Sequence, residues 1–222
     1  MSTGVEVVMT ADGSNTVLNQ ALGKTYHSVY GAWQESQRVY IEIGLLEAFD
    51  RFTGAIRILE MGFGTGLNAL LTLREAERRS RTIRYVGLDS FPLPLEQAQQ
   101  LNYDGLLQTT QLAALHEASW EVPVSVTPSF TLQKHAVRLE AFATTDQFHL
   151  IYYDAFAPSS QPELWEPNIF EKLAGFLLPG GMLTTYCSKS YVQRNMRSAG
   201  LVVEKHDGPH HKRDILRAIK PA

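Results

Sequence analysis

The stretch Ile56-Arg57-Ile58-Leu59-Glu60-Met61-Gly62-Phe63-Gly64-Thr65-Gly66-Leu67-Asn68 decides how the chain is read. Ile56, Ile58 and Leu59 are strand formers, and Glu60 stands at the carboxyl end of that strand. Gly62, Gly64 and Gly66 then allow a sharp turn and a close approach of backbone to a ligand. Leu67, Leu70, Leu71 and Leu73 open an apolar helical stripe. The order is strand, glycine loop, helix. A dinucleotide fingerprint requires its third glycine three residues after the second, where this chain has Leu67. A glycine-rich turn without a ligand is the competing reading of the loop taken alone.

Outward from the loop, 222 residues suffice for one substantial α/β domain. An apolar content of 44% and a charged content of 19% are those of an ordinary globular chain, which excludes the disordered and fibrous classes. Cys187 is the only cysteine, which excludes a disulfide framework within the chain and a cysteine-based metal site. No apolar run reaches the length of a membrane span and no signal-like region opens the chain, so a cytoplasmic location without membrane contact is expected. The net charge of −3 means that any nucleic acid must be met by a local basic patch.

Residues 1–50 read as an N-terminal extension. It comprises a small hairpin (Val5, Val7 and Met9 alternating, a turn at Ala11-Asp12-Gly13-Ser14, return at Thr16-Val17-Leu18) and a helix from about Trp33 to Phe49. Ile83 to Leu88 is the second strand of the main sheet and ends in Asp89. This is roughly 20 residues beyond the glycines, where an acceptor-only carboxylate takes the two hydroxyls of a ribose. Residues 91–129 read as a helical insert, with helices over Leu95–Asn102 and Leu106–Ala118. Phe130 to Ala141 reads as strand, turn and strand, and places Glu140 where the adenine amino edge would be read; a solvated loop carboxylate is the alternative. Phe148 to Tyr153 ends in Asp154-Ala155-Phe156-Ala157-Pro158, which sets Asp154 in the crevice beyond the strand ends. A helix over Asn168–Phe176, a turn at Leu177–Gly181, a strand through Cys187, a helix from Ser188-Lys189-Ser190 to Gly200 and a closing antiparallel hairpin complete the chain.

An acid followed by glycines at every second residue resembles the S-adenosylmethionine loop of Rossmann-like methyltransferases. Taken with Tyr26-His27-Ser28, Gly31-Ala32, Glu35-Ser36, Asp154 to Pro158, Tyr186-Cys187-Ser188-Lys189 and Val203 through Arg213, the chain resembles the methyltransferase domain of the MnmC tRNA-modification enzymes over its whole length. Leu139-Glu140-Ala141 departs from the glycine-aspartate-alanine expected there but keeps the acid.

The resemblance implies a single domain over residues 1–222 of class I (Rossmann-like) α/β fold. Its seven-stranded, mostly parallel sheet would end in an antiparallel hairpin and carry the N-terminal hairpin and the helical insert. The implied reaction transfers a methyl group from S-adenosyl-L-methionine to the aminomethyl group of a modified wobble uridine in tRNA, a separate enzyme performing the preceding step. Cofactor contacts are expected from Glu35, Glu60, Gly62, Phe63, Gly64, Gly66, Leu67, Asn68, Asp89, Ser90, Glu140, Ala141 and Asp154. Substrate contacts are expected from Tyr26, His27, Phe156, Pro158, Lys189, Arg194, Lys212 and Arg213, with Asp154 the catalytic group. Arg197 and Lys205 extend the basic patch, and Trp33, Trp120, Phe156 and Trp165 are candidates for stacking on a flipped base. No metal is expected, since His206, His210 and His211 lack accompanying ligands. Two other classes stay open: a small-molecule amine N-methyltransferase or aminopropyltransferase, and a non-catalytic tRNA-binding protein of the same fold.

Overall fold

The structure, a computed structural model, describes residues 4–209 and 213–222. His210, His211 and Lys212, the last an expected substrate contact, lie outside the described residues. Three short strands, β1 (Val5–Met9), β2 (Asn15–Asn19) and β3 (Lys24–Thr25), form a small antiparallel sheet at the amino end. The expected hairpin is there with a third strand added. A continuous helical run follows: α1 (Ala32–Ser36), a π-helical segment (Gln37–Leu45) and α2 (Leu46–Arg51).

The main sheet is built from β4 (Ile56–Met61), β5 (Ile83–Leu88), β6 (Pro123–Thr127), β7 (Phe130–His135), β8 (Phe148–Tyr153), β9 (Leu177–Thr185), β10 (Val202–Asp207) and β11 (Asp214–Ile219). Its order is β10-β11-β9-β8-β4-β5-β7-β6. The strands from β9 to β7 pair in parallel, while β6, β11 and β10 pair antiparallel to their neighbours. The sheet thus has eight strands rather than seven. The addition is β6, from the end of the stretch read as helical; its Pro123 opens an edge strand, where a missing N–H costs nothing.

Between strands lie α3 (Leu67–Arg78), then α4 (Leu95–Ala98), α5 (Tyr103–Leu107) and α6 (Leu112–Glu117), and later α7 (Pro167–Phe176) and α8 (Ser190–Ser198). Strand residues alternate between two cores. Ile58, Leu150, Tyr152, Met182 and Ile215 join the side covered by α1 to α3 and the insert. Leu59, Ile151, Tyr153, Leu183 and Leu216 join the side covered by α7 and α8. Residues 136–141, expected to return as a strand, form turns instead. The Leu177–Gly181 turn is absorbed into β9, where the pairing register with β8 shifts.

Hydrogen bonds at two places, α1 and the Asn102–Tyr103 segment, tie the small sheet to the body. Asp12, in the β1–β2 turn, accepts the Gln34 N–H on Oδ2 at 3.0 Å and so caps α1 from outside the helix. Asn15 N–H donates to Asn102 Oδ1 at 2.9 Å, Asn102 Nδ2 returns to Gly13 O at 2.8 Å, and the Tyr103 hydroxyl reaches Asn15 O at 2.7 Å.

Candidate active site

At the carboxyl ends of β4, β5 and β8 the chain opens into a cavity of ≈ 730 Å³. Its floor is the glycine loop. Gly62, Gly64 and Gly66 have φ of 93°, 50° and 73°, a region that side chains rarely adopt. At Gly62 a Cβ would stand 2.7 Å from the Asp154 carbonyl oxygen, so the ends of β4 and β8 can meet only through glycine. Phe63 tucks beneath the loop, where a Cβ on Gly87 would lie 2.9 Å from its ring.

Asp89 faces the cavity from the end of β5. Its Oδ2 accepts the Gly64 N–H and its Oδ1 the Phe91 N–H, each at 2.8 Å. Burial raises its carboxyl above the ordinary aspartate value, against the pull of those two amides. A carboxylate oxygen has room for a second donor, so Asp89 both holds the loop and presents acceptors to a ligand.

Asp154 enters from the end of β8, half-buried, and its Oδ2 accepts from Asn68 Nδ2 at 3.0 Å. The same Nδ2 reaches Glu60 Oε1 at 2.9 Å. Glu60 is fully buried, and burial holds its carboxyl well above the usual range against the pull of the Asn68 donor. Tyr40, carried on the π-helical segment, and Tyr186, at the end of β9, bring hydroxyls toward Asp154; burial first and that carboxylate second keep both phenols protonated. The Tyr186 hydroxyl donates to Ala155 O at 2.8 Å. Tyr26 and Phe156 meet edge to face with centroids 5.3 Å apart on the cavity wall, and burial and then Asp89 push the Tyr26 phenol up to about 12.

The structure brings Tyr26, His27, Gly62, Phe63, Gly64, Leu67, Asn68, Asp89, Ser90, Asp154 and Phe156 to this one cavity. Other expected residues lie elsewhere. Glu60 sits behind Asn68. Glu35 is buried beneath residue 28, accepting the Ser28 N–H at 2.9 Å. Gly66 backs onto His116, and Pro158 is buried. Glu140 and Ala141 are exposed, and Glu140 pairs with Arg138 at 3.1 Å. None of the three tryptophans lines the cavity, and Trp165 is fully buried, its indole N–H on Phe156 O. Lys189, Arg194, Arg197 and Arg213 are exposed around α8 and the last hairpin, whereas Lys205 is drawn to Asp214 at 3.2 Å. Among the described residues no group of three or more His, Cys, Asp or Glu could hold a metal ion, and no helix is long and apolar enough to cross a membrane.

Sequence reasoning missed three contributions. The β2–β3 loop brings Ala21 and Leu22 over the cavity, and Gln161 closes another side; no local pattern announces either. Tyr40 and Tyr186 pass as core aromatics. The third had a signal: Phe130, Leu132 and Lys134 alternate inward on β7, so a lysine occupies a core position. Lys134 Nζ donates to Leu115 O at 2.9 Å and His116 O at 2.7 Å and lies over the Phe63 and Trp120 rings, while burial pushes it down to about 8. His116 Nε2 in turn meets the Thr65 carbonyl at 2.9 Å, so the insert is bolted to the glycine loop.

Residues 96–221 match the sequence model of a family described as S-adenosyl-L-methionine-dependent methyltransferases. The tRNA 5-methylaminomethyl-2-thiouridine biosynthesis bifunctional protein MnmC of Pseudoalteromonas atlantica is 27% identical over 237 aligned residues, covering 96% of this chain and 33% of that protein. Its counterpart from Ralstonia nicotianae is 29% identical over 219, covering 88% and 32%. The chain thus spans about one third of the length of these relatives. The crystal structure of MnmC2 from Aquifex aeolicus shares the fold, with a TM-score of 0.75 at 22% identity over 100% of this chain and 73% of that one. A glycine loop between β4 and α3, an acid ending β5, a parallel sheet closed by an antiparallel hairpin and this match over more than half the chain agree: the chain belongs to the S-adenosyl-L-methionine-dependent methyltransferases.

Proposed function

We propose that this chain methylates the primary amine of a 5-aminomethyl group on the wobble uridine of tRNA. The observation that carries the reading is Asp154, a half-buried carboxylate at a strand end, in the same cavity as the glycine loop and Asp89. The names of the two relatives, both biosynthesis proteins for a methylaminomethylated tRNA uridine, support the substrate class. The cavity suits the cofactor: glycines leave its floor open, Asp89 offers acceptors to a ribose, and ≈ 730 Å³ falls in the range of small-molecule sites. When bound, S-adenosylmethionine supplies an electrophilic methyl group on a sulfonium.

The chain's own residues then have two tasks. Gly62, Gly64, Asp89 and Ser90 hold and orient the cofactor. Asp154 draws in the substrate ammonium, whose pKa of about 10 keeps it protonated at neutral pH, and accepts its proton at a carboxylate oxygen. Since a carboxylate also favours the charged amine, alignment by Tyr26 and Phe156, with exclusion of water, matters as much as basicity. Exposed Lys189, Arg194 and Arg213 are assigned to tRNA phosphates. The N-terminal sheet and the insert act as parts of one catalytic domain. The aminomethyl group comes from a preceding reaction on the same uridine, and a tRNA substrate makes the cytoplasm the place of action.

The test is methyl transfer to tRNA bearing 5-aminomethyluridine, read by mass spectrometry of nucleosides. Asp154→Asn should cut turnover by roughly 10²-fold, the scale of a general acid–base contribution, with cofactor affinity unchanged. Failure of the wild type to methylate that tRNA, or wild-type turnover in Asp154→Asn, would overturn the reading.

A further inference from the structure

Asn68 stands in the first turn of α3, beside the glycine loop and 3% exposed, where a cofactor contact would be the default assignment. Its hydrogen bonds point elsewhere. One Nδ2 group serves two carboxyls, Glu60 Oε1 at 2.9 Å and Asp154 Oδ2 at 3.0 Å, and an amide nitrogen has two hydrogens to give. The remaining polar atom, Oδ1, is buried with no hydrogen-bond partner. Turning the amide over would set that oxygen against the acceptor-only carboxylate of Asp154, so the donor orientation is the one the chemistry allows.

We propose that Asn68 is a positioning residue for Asp154, holding its Oδ2 with one amide hydrogen while the other is anchored on the carboxyl of Glu60. This rests on the reading of Asp154 as the group that receives the acceptor amine. The two carboxyls are unequal. Glu60 is fully buried and Asp154 half-buried, so the single negative charge they can share resides on Asp154, where it faces the cavity. Glu60 then acts as a neutral anchor that fixes the amide plane, rather than as a cofactor contact. The Tyr40, Tyr186, Tyr85 and Tyr152 phenols and the Asp89 carboxyl also face the pair; the four phenols stay protonated through burial, and Asp89 adds a second carboxyl that disfavours charge on Glu60. Because Asn68 begins the helix that follows the glycine loop, the arrangement links the loop that carries the methyl donor to the carboxylate that receives the amine.

The experiment compares Asn68→Ala and the isosteric Asn68→Asp with wild type. Its first readout needs no substrate: titration of the Asp154 carboxyl by NMR in protein carrying ¹³C-labelled aspartate, assigned with Asp154→Asn. Losing a donor to the charged form should raise the midpoint by about one pH unit in Asn68→Ala, and by at least as much in Asn68→Asp, where a like group replaces the donor. Methyl transfer to tRNA bearing 5-aminomethyluridine should fall by about tenfold or more in turnover, with the S-adenosylmethionine dissociation constant within about threefold of wild type. An unmoved Asp154 midpoint overturns the proposal. So does a cofactor dissociation constant raised tenfold with turnover intact, which would return Asn68 to the cofactor. If Asp154→Asn is slow while Asn68→Ala is not, the inference fails and the functional reading stands. If the wild type leaves that tRNA unmethylated, the functional reading fails and the titration still decides the bridge.

Discussion

Replacement of Asp89 by asparagine tests the cofactor half of the cavity. Both carboxylate oxygens already accept backbone amides, Gly64 N–H on Oδ2 and Phe91 N–H on Oδ1. Asparagine has one carbonyl oxygen, so its NH₂ must face one of those donors. One loop bond is lost and a donor is set against a donor. Hydrogen bonds to charged groups contribute about 1.5–3 kcal/mol each, and the ribose loses a comparable bond at the same group. Since the two losses share a loop and do not add fully, a net of about 3 kcal/mol is expected, or roughly 100-fold in the dissociation constant for S-adenosylmethionine. Calorimetric titration reads this directly. Burial raises the Asp89 carboxyl, so wild-type affinity should fall on acidification at a pH above the ordinary 3.8, and that fall should vanish in Asp89→Asn. The loop bond alone, about 1.5–3 kcal/mol, should lower Tm by roughly 3–12 °C. A dissociation constant within threefold of wild type would remove Asp89 from the site.

Three further outcomes are expected. Glu60 keeps a proton in the folded protein that the unfolded chain releases near pH 4.5, so its stabilising contribution is lost as pH rises toward the folded pKa, by up to about 1.4 kcal/mol per unit. Glu60→Gln has no such proton and should gain on wild type between pH 5 and 8 in urea melts; parallel pH curves would show Glu60 to be ionised. Lys134→Met keeps the packed stem but leaves the Leu115 and His116 carbonyls without their donor, and should cost about 2 kcal/mol by denaturation; a variant as stable as wild type would mean the buried charge contributes nothing. Charge reversal at Lys189 or Arg213 should raise the Michaelis constant for tRNA and flatten its salt dependence without changing cofactor affinity. Salt curves that superimpose on wild type would move the RNA surface elsewhere.

The parallel core was legible because Ile58/Leu59, Leu150/Ile151 and Met182/Leu183 each supply both faces of a doubly covered sheet, and the glycines mark where β4 stops. β6 was not. Val124 and Val126 are two alternating residues only, behind a Trp120–Pro123 stop that closes a helical pattern well. The π-helical turn is equally silent, since side-chain spacing over Gln37–Leu45 fits an ordinary helix; yet it sets the register that turns Tyr40 toward the site. Glu140 shows the limit of spacing. It stands at the distance expected of an adenine-reading acid, but it is exposed to solvent beside the buried Leu139 and pairs with Arg138. Cavity walls made by Leu22 and Gln161 depend on how distant segments meet, which no window of sequence contains.

The tie between Asn15 and Asn102 has a consequence for biosynthesis. Its bonds join residues 87 to 89 positions apart, and the Tyr103 hydroxyl adds another across 88. On the ribosome the amino-terminal strands therefore emerge well before the segment that receives them, and wait through β4, α3 and β5 with one face unpaired. At about 5–20 residues per second that interval lasts several seconds, long compared with the microseconds in which a hairpin forms. Nascent chains stalled before residue 102 should expose Val17 and the β1–β3 edge to chaperones and proteases, and chains stalled far enough beyond Tyr103 for that residue to clear the exit tunnel should not.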